Sequence, residues 1–134
     1  MEFLLYLTSS GREIIEIIKS CNYRIRQNAL ICRNADILGY KSSAEFIICL
    51  NNVKNKVSPV KFYVNETVYH EAVHVIQSCK GNALGMPTPL SQYKNTDVIN
   101  SIKISGGNST YEREAYYLED KPTEVLKYLK KYCL

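Results

Sequence analysis

NETVYHEAVHVIQSCKG, residues 65–81, predicts one largely buried helix. Its apolar residues recur at helical spacing, Asn65 is a suitable N-cap, and a glycine at its end supplies a stop. His70 and His74 are four residues apart, so both imidazoles lie on one face of that helix. Two imidazoles at this spacing can bind one zinc ion, with Glu71 beside them as general base. The stretch therefore predicts a zinc hydrolase.

The number of histidines limits the choice of the third metal ligand. The chain contains two histidines, whereas a catalytic zinc site normally takes three protein ligands and leaves the fourth position to water. A longer HExxHxxGxxH run is excluded, because Lys80 stands where its last histidine would be. An aspartate, a glutamate or a cysteine must therefore complete the site.

The best downstream segment is STYEREAYYLED, which begins at Ser109. Ser109 and Glu112 form a capping box, which predicts that a helix starts here. Glu112 and Glu114 both fall in its first turns, about 200° apart at 100° per residue, so only one of them can face the metal. Ala115, Leu118 and one tyrosine mark the inward side of this helix.

These two segments resemble the gluzincin-type HExxH zinc metallopeptidases, in which a glutamate from a later helix completes the metal site. They are most similar to the small ImmA/IrrE-like group, whose third ligand lies in a Glu-x-Glu-Ala pattern, and EREA at residues 112–115 matches that pattern. The resemblance covers the HEAVH helix and the EREA helix. It implies a minimal zincin domain in which His70, His74 and Glu114 hold Zn²⁺, with Glu112 as the alternative third ligand.

The resemblance also implies a reaction, the hydrolysis of a protein or peptide bond. Zinc would activate a water molecule, and Glu71 would take a proton from that water and pass it to the leaving amine. A tyrosine could donate a hydrogen bond to the developing oxyanion. The candidates nearest the site in sequence are Tyr116 and Tyr111, with Tyr69 and Tyr117 as alternatives.

A second function, of a different class, fits the same residues. A zinc-stabilised binding module would keep this scaffold and act by contact alone, and a chain of 134 residues shows no second lobe for substrate specificity. Glu71 favours the enzyme, because a purely structural zinc site does not need a carboxylate beside its ligands. We therefore expect a catalytic domain, with the binding module as the alternative.

The composition is that of one globular domain spanning residues 1–134. Hydrophobic residues make up 46% of the chain, and no stretch approaches the roughly 20 apolar residues of a membrane span. The net charge of +4 comes without a nucleic-acid-binding motif, so we expect no nucleic-acid partner. The apolar run from Phe3 to Leu7 is too short for a signal peptide, and we expect a cytoplasmic protein.

Five cysteines are present, and none of them belongs to a CxxC pair. This spacing argues against a structural zinc ribbon. In a cytoplasmic protein we expect them to be reduced and to behave as small hydrophobic residues. The alternative is a disulfide between Cys79 and Cys133, which end two predicted helices that could pack together.

Periodicity predicts an α+β fold, in which a small mixed or antiparallel sheet packs on the HExxH helix and two C-terminal helices close the core. The similarity to zincins makes residues 46–50 a candidate edge strand that would pair with an extended substrate. From residue 81 to residue 107 we expect a long loop with one short helix at Asp97–Ile104. The other predicted elements are strands at 2–8, 23–32 and 44–50 and helices at 11–21 and 123–132.

Overall fold

The computed structural model describes residues 1–86 and 109–134 and confirms the α+β class. The described part contains five α-helices and one sheet of three strands. The helices are α1 (Ser9–Ser20), α2 (Leu50–Lys56), α3 (Val60–Lys80), α4 (Ser109–Leu118) and α5 (Pro122–Cys133). The strands are β1 (Arg24–Gln27), β2 (Gly39–Lys41) and β3 (Glu45–Ile48), and two short 3-10 helices cover Glu2–Tyr6 and Leu30–Arg33.

The sheet has the order β1–β3–β2 and mixes both strand orientations. β1 runs parallel to β3, with Ile25 opposite Phe46, and β2 runs antiparallel to β3. Phe46, Ile47 and Ile48 are all buried, as a continuous apolar run in a central strand should be. The prediction of an edge strand at residues 46–50 is therefore wrong. β3 is the central strand, and β2 is the edge strand that contacts α3.

Helix α3 is the centre of the molecule and packs against α1, α4, α5 and the sheet. It begins directly after Pro59, so Asn65 lies inside the helix and is not its N-cap as predicted. Asn65 is buried because its amide ties α3 to the N-terminal segment. The amide donates to the carbonyl oxygen of Tyr6 and accepts from the backbone N–H of Thr8. Gly81 ends the helix as predicted, in the left-handed conformation with a φ of 84°.

The outer elements differ more from the prediction than the central helix does. The N-terminal residues form a 3-10 helix instead of a strand, and this turn places Phe3 and Leu7 in the core. β1 covers only the first part of its predicted strand, whereas α1 and α5 confirm the helices predicted near the two ends of the chain. The helix predicted at Asp97–Ile104, with most of the loop around it, lies outside the described residues.

One hydrophobic core joins the helices to the sheet. The C-terminal helices contribute Ala115, Leu118, Val125 and Leu129 to it, so they close over α3 as the sequence predicts. Among the described residues, no helix combines the length and the apolar composition that crossing a membrane requires. The largest fully buried apolar side chains are Phe3, Ile14, Ile18, Phe46, Ile48, Leu50, Val53, Ile76, Leu118 and Leu129.

Four of the five cysteines form two disulfides, contrary to the expectation that all of them are reduced. Cys32 is bonded to Cys49, and Cys79 is bonded to Cys133. The second bond, which the sequence offered as the alternative, joins the last turn of α3 to the last turn of α5, because these helices pack directly on each other. Cys21 is the free cysteine, and its thiol donates to the carbonyl oxygen of Cys133.

Candidate metal centre

The two histidines of α3 lie side by side, and Glu112 of α4 faces both of them. His74 Nε2 lies 2.7 Å from Glu112 Oε1, and His70 Nε2 lies 3.5 Å from Glu112 Oε2. One ligand atom from each of the three residues falls within 4.8 Å of the others. The exposed fractions of the side chains are 13% for His70, 19% for His74 and 24% for Glu112, so the group is mostly shielded from solvent. These three residues can hold a metal ion.

Glu114, the predicted third ligand, does not lie with the histidines. It is fully buried, and both of its carboxylate oxygens are occupied by hydrogen bonds. They accept from the backbone N–H groups of residues 84–86 and from Gln77 Nε2. The two carboxylate oxygens of Glu114 are therefore occupied by Gln77 and by the segment that follows α3. The place beside the histidines belongs to Glu112, the alternative two residues earlier.

Glu112 takes the place predicted for Glu114 because the core-facing side of α4 is not the side that faces the histidines. Glu114 lies on the side of the buried Leu118, and Glu112 lies about 200° away from Glu114 around the helix. Glu112 and Tyr116 are four residues apart and share one side of α4, and Glu119, the first residue after the helix, continues that side. All three line the cleft in which the histidines lie.

Each histidine has a hydrogen-bond partner at the ring nitrogen that does not face Glu112. His70 Nδ1 lies 3.0 Å from Glu119 Oε1, and His74 Nδ1 lies 2.8 Å from Gln77 Oε1. A proton on each Nδ1 satisfies these oxygen acceptors. Both Nε2 atoms are then the nitrogens that remain for a metal ion.

The charges of this centre shift the pKa values of its members. Burial alone would lower the pKa of His70, but the carboxylates of Glu112 and Glu119 outweigh it and raise this pKa well above its ordinary value. Burial alone would raise the pKa of Glu112, yet the hydrogen bonds from His70 and His74 hold it well below its usual range. The centre thus stabilises positive charge at the place where the three side chains meet.

Glu71 lies beside the histidines, and strand β2 packs directly on it. Burial raises the pKa of Glu71 against the opposing charges of His70 and His74, which suits a group that accepts and returns a proton. A Cβ atom on Gly39 would lie 2.6 Å from Thr67 Cγ2 and 3.0 Å from Glu71 Cγ. This close approach requires glycine at position 39, and it confines the Glu71 side chain against the strand.

Among the described residues, a cleft of about 1060 Å³ opens at this centre, lined by β2, α3 and α4. Lys41 of β2 brings a positive charge to it. The Lys41 ammonium group donates to Ser78 Oγ. Burial lowers the pKa of Lys41, and the nearby charge of Glu71 opposes that shift. The cleft is large enough for a drug-sized ligand or a short peptide segment.

Two of the tyrosines predicted near the site line the cleft, Tyr116 and Tyr111. The ring of Tyr116 packs edge-on against the ring of His70, with centroids 4.6 Å apart. Tyr69 is buried, and its hydroxyl is hydrogen-bonded to a threonine of the N-terminal segment. Tyr117 packs against the core. The structure thus brings Tyr116 and Tyr111 to the centre and holds the two alternatives elsewhere.

Three residues of the centre were not predicted from the sequence, namely Gln77, Glu119 and Gly39. Glu119 follows Glu112 by seven residues, a spacing that returns to the same helix side after two turns, so helical periodicity could have found it. Gln77 follows His74 by three residues, which also places both on one side. Gly39 carries no local signal, because its role depends on the packing of a strand on a distant helix.

The comparisons with known proteins give one match. A family model described as Domain of unknown function (DUF8637) matches residues 3–134, which is nearly the whole chain. No curated protein and no solved structure matches the chain.

Proposed function

The chain belongs to the DUF8637 family of domains of unknown function, and we propose that it is a zinc metallopeptidase that hydrolyses a protein or peptide bond. The observation that carries this proposal is the convergence of both histidine Nε2 atoms and the Glu112 carboxylate on the cleft that Glu71 also lines. Two imidazoles and one carboxylate are the ligand set of a catalytic zinc site whose fourth position stays open.

The donor atoms suit a bound cation. The oxygen acceptors at Gln77 and Glu119 call for a proton on each Nδ1, so each Nε2 turns toward an oxygen of Glu112. A nitrogen lone pair and a carboxylate oxygen repel each other unless a proton or a metal ion lies between them. Zinc held there would supply Lewis-acid chemistry, lowering the pKa of a water molecule and polarising a substrate carbonyl. The same ligands accept Mn, Fe or Co, so metal analysis identifies the native ion.

Glu71 supplies the proton transfers in this proposal. Glu71 lines the cleft, and burial raises its pKa above the ordinary value, which suits a general base. It would accept a proton from the attacking water and release that proton to the leaving amine. Tyr116 and Tyr111 line the same cleft, and either hydroxyl could donate to the developing oxyanion.

The edge strand β2 supports an extended peptide as the substrate. Within the described part of the chain, β2 pairs with β3 on one side only, and all three of its residues line the cleft. An extended segment could pair with the other side of β2 through backbone hydrogen bonds. Such pairing would hold a peptide close to Glu71, because Gly39 brings the strand into contact with that side chain.

The test compares the wild type with Glu71→Gln, which keeps the shape of the side chain but cannot accept a proton. Both proteins should bind one zinc ion per chain, and the variant should lose about 10² to 10⁴ in rate. Incubation with host-cell extract, followed by mapping of new peptide termini, gives the readout. Glu16→Gln on the exposed side of α1 is the matched control and should act like the wild type. A wild-type protein that binds no metal after zinc dialysis rejects the proposal.

The second candidate is a zinc-stabilised binding module. One observation favours it: Glu112 contacts both histidines, so an ion among them would also join α3 to α4. In that case the wild type and Glu71→Gln produce no new termini, and removal of zinc lowers the melting temperature. Loss of activity in Glu71→Gln with an unchanged melting temperature favours the peptidase.

The two disulfides bear on the compartment in which the protein works. They favour an oxidising compartment over the cytoplasm expected from the sequence, because cytosolic reductants keep most thiols reduced. Trapping of thiols in living cells distinguishes the two locations. One reactive thiol per chain, from Cys21, indicates the oxidised protein, whereas five indicate a reducing compartment.

A further inference from the structure

Gln77 connects His74 to the buried carboxylate of Glu114. Its side chain is almost fully buried at the C-terminal end of α3. Gln77 Oε1 lies 2.8 Å from His74 Nδ1, and Gln77 Nε2 lies 2.9 Å from Glu114 Oε1 and 3.0 Å from the carbonyl oxygen of Tyr111. One amide group therefore spans the distance between the histidine and two oxygen atoms.

The orientation of this amide follows from the chemistry of its neighbours. The Tyr111 carbonyl oxygen can only accept a hydrogen bond. Glu114 also acts as an acceptor, because its other partners are the backbone N–H groups of residues 84–86. The NH₂ group of Gln77 must point at these two acceptors, since the reverse orientation would set oxygen against oxygen twice. Its Oε1 atom must consequently point at His74.

The orientation of the amide in turn decides which nitrogen of His74 carries the ring proton. An oxygen acceptor beside Nδ1 requires a proton on Nδ1. The Nε2 atom is then the metal-binding nitrogen, and it is the nitrogen that lies 2.7 Å from Glu112 Oε1. The tautomer needed for a metal site is thus set three residues away from the histidine.

We infer that Gln77 and Glu114 are positioning residues for the metal site, with Glu114 acting through Gln77 to hold the proton of His74 on Nδ1. This inference rests on the proposed metal site, and it extends that site to a carboxylate that touches neither histidine. His70 has a different arrangement, because Glu119 contacts its Nδ1 directly. At the Nδ1 atoms, therefore, one carboxylate supports each histidine: Glu119 contacts His70 directly, and Glu114 acts on His74 through the Gln77 amide.

The test is a double-mutant cycle on zinc affinity, measured by competition with a chromophoric chelator. Gln77→Met keeps the length of the side chain but removes the acceptor at His74, so zinc affinity should fall about 10- to 100-fold. Glu114→Gln keeps the shape of the carboxylate but allows the Gln77 amide to turn over, so a similar fall is expected. In the Gln77→Met background, Glu114→Gln should cause little further loss of zinc affinity, because Glu114 acts on His74 only through Gln77.

Gln27→Met is the matched control. Gln27 is a half-buried glutamine on β1 that accepts from the backbone N–H of Phe3, so the same substitution removes a hydrogen bond away from the cleft. Its zinc affinity should equal that of the wild type. An equal fall in Gln27→Met and Gln77→Met would show a general loss of stability and overturn the inference.

A second readout does not need zinc. In ¹⁵N-labelled metal-free protein, the proton on His74 Nδ1 should give a slowly exchanging signal, which disappears in Gln77→Met and remains in Gln27→Met. If Gln77→Met does not fold, Glu114→Gln carries the same comparison. A wild type that gives this signal but binds no zinc rejects the proposed metal site, and only the effect of Gln77 on the ring proton of His74 remains. Folded variants that keep both the signal and the wild-type zinc affinity overturn the inference.

Discussion

Glu112 and Glu114 stand two residues apart on α4, yet their carboxylates face different parts of the molecule. Glu112 contacts the Nε2 atoms of both histidines, and Glu114 accepts hydrogen bonds from Gln77 and from the segment after α3. The Glu-x-Glu pattern therefore supplies one group that can touch a metal ion and one that supports it from the core. This division makes the two positions distinguishable by experiment.

Glu112→Ala should abolish stable zinc binding. Within the described part of the chain, Glu112 is the one carboxylate that lies within ligand distance of both histidines. We therefore expect its removal to lower zinc affinity by more than the roughly 10- to 100-fold that is typical of a supporting residue. Metal content after dialysis and chelator competition measure this loss. Glu114→Gln is the comparison and should retain measurable zinc. Full zinc retention in Glu112→Ala would show that the third ligand lies elsewhere.

Zinc binding should release protons at neutral pH. Although burial lowers the pKa of His70, the carboxylates of Glu112 and Glu119 raise it well above its ordinary value, so we expect His70 to carry a proton at neutral pH when no metal is bound. Zinc must displace that proton, and zinc affinity should fall as the pH falls through this raised pKa. Calorimetry in buffers of different ionisation enthalpy counts the protons.

Glu119→Gln provides the control for this measurement, because it removes one of the carboxylates that raise the pKa of His70. The variant should release fewer protons per zinc ion at the same pH. Binding heats that are identical in every buffer would contradict the protonated state of His70.

Gly39→Ala should destabilise the protein by about 1–3 kcal/mol, because the new methyl group would lie 2.6 Å from Thr67 Cγ2. Thr67→Ser removes that Cγ2 atom and keeps the hydroxyl that donates to the Tyr63 carbonyl oxygen. The double variant should therefore recover part of the lost stability, and urea denaturation measures both effects. A Gly39→Ala protein as stable as the wild type would mean that β2 does not lie against α3.

Breaking the Cys79–Cys133 bond should lower the free energy of unfolding by about 2–5 kcal/mol. The double change Cys79→Ser with Cys133→Ser tests this in urea, without reductant. Cys21→Ser is the control, because Cys21 forms no disulfide. This substitution should change the free energy of unfolding by no more than about 1 kcal/mol. Equal stability of the two variants would show that the bond does not form in solution.

The parts of the site that were predictable are those fixed by local spacing. His70, Glu71 and His74 follow from one five-residue pattern, and the helix around them follows from apolar periodicity and the glycine at its end. These features depend on neighbours within a few turns of the same helix. The helical part of the α+β class was predictable for a similar reason, since the helices near each end of the chain are indicated by their own apolar periodicity.

The parts that were not predictable depend on how distant elements rotate against each other. The side of α4 that faces the histidines is decided by its packing on α3, so Glu112 could not be separated from Glu114 by spacing alone. The strand order is another example, because β2 becomes the edge only when β3 inserts between it and β1. The prediction of Asn65 as an N-cap was wrong for the same reason. Its buried side chain makes hydrogen bonds to the distant N-terminal segment, and these outweigh its preference for a helix start.

The bond between Cys79 and Cys133 makes a covalent ring of the last part of the chain, with its ends 54 residues apart in sequence. Glu112 belongs to this ring, whereas His70 and His74 lie just before it on the helix that carries its first cysteine. A single proteolytic cut anywhere inside the ring would give two polypeptides that stay joined. Under oxidising conditions a nicked molecule would therefore migrate as one species. After a cut between Cys79 and Glu112, only reduction would separate the polypeptide that carries the histidines from the one that carries Glu112.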